Sequence, residues 1–193
     1  MVNLTKGQKI SLAKEAPGLN RVIVGLGWDV NKKQGFFGLG GHDFDLDAFI
    51  VGCRNGHYSN RHDLVYFGNK DGCDGAIHHC GDNLTGAGDG DDEQIIVNLN
   101  NVPADVDKLV IAVNIYQAKH RKQDFGQVEN AFVRLVNADT NQEVLRYDLS
   151  ENYSGYVGMI FGELYRHNGE WKFAAQGNGV KEATVEDIAG LYR

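Results

Sequence analysis

The chain has 193 residues, 42% hydrophobic and 23% charged, with 25 glycines, 2 prolines and a net charge of −7. That length and composition predict one globular domain, 1–193, able to bury a core without staples. An acidic chain with no basic stripe excludes a nucleic-acid partner, and no apolar run approaches the ~18 residues of a membrane span.

The N-terminal segment MVNLTKGQKISLAKEAPG carries no apolar h-region and no small-residue cleavage site, so no signal peptide is read. Three widely spaced cysteines, Cys53, Cys73 and Cys80, predict reduced thiols and a cytoplasmic location.

In chain order, the periodicity is mostly that of strands. RVIVGLGW (21–28), LDAFIVGC (46–53) and DLVYFGN (63–69) are short apolar runs bounded by Gly, Asn or Asp. QIIVNLN (94–100) points Ile95, Val97 and Leu99 to one face, and KLVIAVNIY (108–116) predicts a central strand buried on both faces. NAFVRLVNA (130–138) and EVLRYDL (143–149) follow, with a hairpin at Asp139-Thr140-Asn141. GMIFGELYRH (158–167) and EWKFAAQG (170–177) flank a second hairpin at His167-Asn168-Gly169. A short helical turn is read near 117–124. At the C-terminus Thr184 caps a helix on which Val185, Ile188, Ala189 and Tyr192 share a face. The fold class that follows is all-β: a β-sandwich or barrel with a short C-terminal helix.

The chemistry concentrates in two acidic segments. GDNLTGAGDGDDE (81–93) holds five acids and four glycines, and from Asp71 to Asp107 there are nine carboxylates and no Lys or Arg. Calcium takes six to eight oxygen ligands, and glycines allow the tight turns that present backbone carbonyls to it. The twelve residues from Asp82 to Glu93 imitate an EF-hand in length only. Leu84, Gly86 and Ala87 stand where that loop needs two oxygen side chains and a glycine. The second segment is HDFDLDA (42–48), where Asp43, Asp45 and Asp47 alternate onto one side and Phe44, Leu46 and Ala48 onto the other. Three like charges on one strand face are unfavourable unless neutralised. A sandwich gathers loops at its ends, so the two clusters could share one site or line neighbouring ones.

The competing readings are a solvated acidic turn and a zinc site built from Cys53, Cys73, His78, His79 and Cys80. The Cys73–Cys80 spacing matches no standard finger, and His78 and His79 would point to opposite faces of a strand. No nucleophile elbow, P-loop, Rossmann fingerprint or HExxH motif is present. Gly25-Leu26-Gly27 is a weak glycine pattern, and Trp28 and Trp171 read as core.

LTKGQKISL (4–12), VGLGWD (24–29), FDLDA (44–48), GDNLTGAGDGDDE (81–93), VPADVDKLVIAVNIY (102–116), FGQVENAFVRLVN (125–137) and GELYRHNGEWKF (162–173) together resemble the TerD family of tellurite-resistance and stress proteins. The resemblance implies a sandwich of two packed sheets with acidic metal-binding loops at one end. It also implies calcium as cofactor, two ions, and no enzymatic activity. Its implied partners are other tellurium-resistance and stress proteins, in an assembly near the membrane. The residues it marks for metal are Asp29, Asp45, Asp47, Asp82, Asn83, Thr85, Gly88, Gly90, Asp91, Asp92 and Glu93. A metal-dependent hydrolase using the same loops, with Arg134 or Arg166 folding back to meet a phosphate, stays as an alternative. So does a calcium-dependent lectin with Trp28 or Tyr66 beside the ion.

Overall fold

The computed structural model describes residues 1–30, 44–81, 90–182 and 184–193. Thirteen strands are formed among them: β1 Val2–Leu4, β2 Lys9–Ser11, β3 Arg21–Val30, β4 Leu46–Arg54, β5 Leu64–Val65, β6 Asp71–Gly72 and β7 Ile77–His79. They continue with β8 Glu93–Asn98, β9 Val106–Ile115, β10 Val128–Asn137, β11 Glu143–Asp148, β12 Gly158–His167 and β13 Glu170–Val180. Three short helices accompany them, α1 Leu12–Glu15, α2 Ala118–Arg121 and α3 Val185–Gly190.

The strands form two sheets. One has seven strands in the order β1-β11-β10-β3-β8-β7-β6, and the other six in the order β2-β13-β12-β9-β4-β5. All pairs are antiparallel except β1 with β11. The predicted hairpins form, with Asn141 at φ 57° in the first and Asn168 and Gly169 at φ 54° and 78° in the second. Asn and Gly supply the positive φ that tight hairpins demand.

Alternation sets the core. Val22, Val24, Leu26 and Trp28 of β3 and Ile95 and Val97 of β8 face inward from the seven-stranded sheet, against Leu46, Ala48 and Ile50 of β4 and Leu109, Ile111 and Val113 of β9. The other face of β4 and β9 is also covered. Phe49, Val51, Cys53, Val110 and Ala112 pack under Val185, Ile188 and Ala189 of α3. This second layer explains why β4 and β9 read as continuous apolar runs. Thr184 does cap α3, its Oγ1 accepting from Asp187 N at 3.1 Å.

One expectation needs adjusting, and one segment without a predicted element proves to be structured. The run 63–69 yields only the two residues of β5, after a 3-10 turn at Arg61–Asp63. Its last four residues close a tight turn bridged Tyr66 to Asn69. The N-terminal segment, which shows no clear period, splits between the sheets: β1 joins β11 and β2 joins β13.

Candidate functional site: an acidic end of the sandwich

Strand direction brings the two acidic segments to one end. β3 runs out to Asp29, β4 begins at Leu46 opposite Ile115, and β8 begins at Glu93 opposite Leu26. Of the predicted metal residues, Asp82, Asn83, Thr85 and Gly88 lie outside the described residues, as does Asp43. The other seven can be placed.

Glu93 ties the clusters together. It is 2% exposed, and one of its carboxylate oxygens accepts from the backbone N–H of Ala48 at 3.0 Å. Beside it His79, 1% exposed, lies 3.3 Å from the same carboxylate oxygen and 3.1 Å from the Ala48 carbonyl. Gly81 N donates to His79 Nδ1 at 3.1 Å, so Nε2 carries the ring proton and points it at Ala48 O and Glu93. β5 pairs with β4 only at Ile50 and Val51. Glu93 and His79 therefore meet the backbone groups of Ala48 beyond the reach of that short strand, which would otherwise be costly to bury. The same contacts hold the base of the loop: His79 and Gly81 before it, Glu93 after it.

Asp91 and Asp92 are adjacent but differently used. Asp91, its side chain 1% exposed, takes a two-pronged bond from Arg134 of β10, Nε at 2.7 Å and Nη2 at 3.1 Å, and a further one from Gln94 at 3.0 Å. The stretch without Lys or Arg thus receives its cation from a distant strand, and Arg134 also holds Glu143 at 3.1 Å. Among the described residues Asp92 accepts a single backbone N–H, that of Trp28 at 2.8 Å, while its own N–H donates to Leu26 O. Burial pushes the Asp92 carboxyl above its ordinary value, with the Trp28 N–H opposing and the nearby charges of Asp29 and Asp91 reinforcing the rise. Asp29 is exposed and accepts from Asn130 at 2.8 Å.

The weak glycine pattern proves to be part of this site. A Cβ at Gly25 would collide with the Asp91 carboxylate, and one at Gly27 with the Phe132 ring and, at 2.9 Å, the Gly90 carbonyl. Gly90 itself sits at φ 133°, open to glycine alone. Gly25 and Gly27 cut a groove into β3 in which the end of the acidic loop lies. The alternation of glycine with inward Leu26 and Trp28 is the signal that could have revealed it.

Asp45 and Asp47 lie on the six-stranded sheet. Asp45 is half-buried with Arg121 of α2 at 3.7 Å. Asp47 is 5% exposed and faces a cavity of about 620 Å³ that Tyr66, Tyr116 and Asn114 also line. Trp28 is in the core between the sheets, which removes it as a surface platform for a sugar ring.

The thiol and imidazole groups point apart. His78 is exposed and bonded to Asp71 at 2.8 Å, His79 is turned to Glu93, Cys53 and Cys73 are buried in different clusters, and Cys80 is exposed. Among the described residues no three of His, Cys, Asp or Glu converge as metal ligands. Burial raises the Cys53 thiol to about 11 and raises Cys73 further. A disulfide reagent is therefore expected to modify Cys80 alone in the native protein and all three thiols after denaturation. Protection of Cys80 by added zinc would restore the zinc reading.

The architecture and the acidic end define a class before any comparison: a two-sheet sandwich carrying an oxygen-rich loop anchored at both stems. The TerD domain pattern matches residues 1–192, and the chain belongs to the TerD family. It is 52% identical over 182 residues to general stress protein 16U of Bacillus subtilis, covering 93% of this chain and 91% of that one. It is 49% identical over 180 residues to the tellurium resistance protein TerD of Serratia marcescens, covering 92% and 90%. In structure it is similar to a homologue of telluride resistance protein (TerD) from Streptomyces coelicolor, with a TM-score of 0.69, 21% identity and 91% and 99% coverage. That likeness speaks to the fold. Among the described residues no helix is long and apolar enough to cross a membrane.

Proposed function

We propose that this protein is a non-enzymatic calcium-binding module of the tellurium-resistance and stress-response type, acting in the cytoplasm through protein partners. The observation that carries the reading is the unequal treatment of Asp91 and Asp92. Asp91 has an arginine; Asp92 is buried near Asp29 and accepts a backbone N–H, with no cation paired to either among the described residues. A desolvated carboxylate with a second negative charge nearby is costly, and a divalent cation relieves that cost.

The donor set fits a hard ion. It is made of carboxylates, an asparagine, a threonine hydroxyl and glycine carbonyls, and no three of the described His, Cys, Asp or Glu side chains converge to favour a softer ion. Asp29, Asp92 and Gly90, with Asp82, Asn83, Thr85 and Gly88 of the same segment, would hold one ion. Asp45 and Asp47, on the other sheet, would serve a second. Asp91 and Glu93 act as anchors, one to Arg134 and one to Ala48 and His79. A bound ion would supply charge neutralisation and a fixed loop surface for a partner. The hydrolase alternative loses its cation, since Arg134 is engaged by Asp91 and Glu143, and Arg166 by the carbonyls of Val102 and Pro103.

The names of the relatives, stress and tellurium-resistance proteins, support the cellular part of the reading. Calorimetry on chelator-treated protein tests the rest. Calcium is expected to bind with exothermic or endothermic heat that saturates at two equivalents, and magnesium more weakly. Heat absent for calcium, or zinc binding that Cys80→Ser abolishes, would refute it.

A further inference from the structure

The chain has eight arginines. Arg21, Arg54, Arg121, Arg134 and Arg146 each meet a carboxylate, and Arg166 is taken up by backbone carbonyls. Arg61 and Arg193 form no ion pair among the described residues, and both border the same cleft, of about 550 Å³, with Tyr58, His62, Tyr66 and Glu186. A second, adjoining cleft is again lined by Tyr58, Arg61 and Arg193.

The fold builds this convergence. The Tyr58 N–H donates to Tyr192 O at 2.7 Å, which lays the last residues after α3 against the turn that follows β4. Asn60 accepts from His62 N at 3.1 Å and caps the turn that carries Arg61. That turn ends at Asp63, 1% exposed and locked by Arg54 at 2.7 Å. Arg193 lies over the Tyr58 ring at 6.0 Å, and both guanidinium groups act on the Tyr58 phenol. Two cations therefore line one cleft, with the carboxylate of Glu186 beside them, in a protein whose net charge is −7.

We propose that this cleft binds a small molecule through a single phosphate group, with a planar ring seated against Tyr66. Two guanidinium forks match the oxygens of a phosphate dianion, and His62 stands beside them as a further donor. The volume lies within the range of sites for small ligands, roughly 300–1,000 Å³. Glu186, which lines the same cleft and also acts on the Tyr58 phenol, repels a second phosphate, which selects a monophosphate over a polyphosphate. The site does not depend on calcium binding.

The test is a titration of the full-length protein by ¹H–¹⁵N NMR at constant ionic strength, with inorganic phosphate and with adenosine monophosphate as probes. Shifts are expected at Tyr58–Asn69 and Tyr192–Arg193 with both probes, with tighter binding of the nucleotide. Arg61→Gln and Arg193→Gln should each weaken binding by about tenfold or more, with melting temperatures unchanged because both side chains are exposed. Shifts reproduced by chloride, or variants that bind as the parent does, would overturn the site. Equal affinity for the two probes would overturn the ring's place in it.

Discussion

Asp91→Asn and Asp92→Asn, at neighbouring positions, are expected to change stability in opposite directions in the calcium-free protein. Asp91 is buried, and its carboxylate answers the Arg134 fork and Gln94. An asparagine there turns an amide donor toward donors and strands part of a guanidinium, a loss of about 2–4 kcal/mol. Asp92 is the reverse case. Its folded carboxyl holds a proton more tightly than the unfolded one, because burial disfavours the charge. The folded state then binds more protons than the unfolded, so stability falls as pH rises from the unfolded value through the folded one, and the loss is complete above the folded value. Asparagine removes that charge and still accepts from Trp28 N. Calcium-free Asp92→Asn should therefore melt at or above the parent at pH 7, with the advantage gone in acid below the ordinary carboxylate range. In calcium the order is expected to change, since on the proposed reading Asp92→Asn would forfeit an ion ligand and Asp91→Asn would keep the ions. Thermal melts of both variants with and without calcium check this. Equal destabilisation of the calcium-free protein by both would show that the two residues do the same job.

These two aspartates also mark where the sequence stops speaking. The long strands, the two hairpins and the capped α3 were legible because they depend on local periodicity and turn chemistry, whereas the short β1, β2 and β6 were not. So was the inward face of β8, and the opposed directions of His78 and His79. That the two acidic segments could meet at one end followed from how a sandwich gathers its loops, and the described ends of β3, β4 and β8 do lie together. The partner of Asp91 was not, because Arg134 lies 43 residues away and reaches it only through the β3–β10 register, which sets Arg134 beside Gly25. The role of Glu93 was hidden for the same reason. It depends on β5 being too short to cover Ala48, a property of a different segment. Two-sided burial of β9 was read correctly, but the cover over its outer face is α3, distant in sequence. Sequence pattern reports the face a residue occupies; it does not report what stands opposite.

Calcium itself is expected to produce the largest change in stability. Without metal, folding brings Asp92 beside Asp29 and Asp91, and the Asp92 carboxyl is held away from water. Arg134 offsets Asp91 and leaves the rest of that cost in place. An ion that binds only the folded chain stabilises it by RT ln(1 + [L]/Kd), about 2.7 kcal/mol at a hundredfold excess over Kd. For a domain of this size that raises Tm by roughly 5–10 °C, and a second ion adds to it. Ionic screening would give a small rise with any salt, so the comparison is made at constant ionic strength with potassium chloride as reference. Millimolar calcium should raise Tm clearly, magnesium less, and a chelator should reverse both. The rise should shrink in Asp92→Asn and persist in Asp91→Asn, which assigns it to the ion at the acidic end rather than to the Arg134 bridge. A melting curve that ignores calcium would leave Asp92 and Asp29 without a cation and reduce the acidic loop to a solvated turn on well-fastened stems.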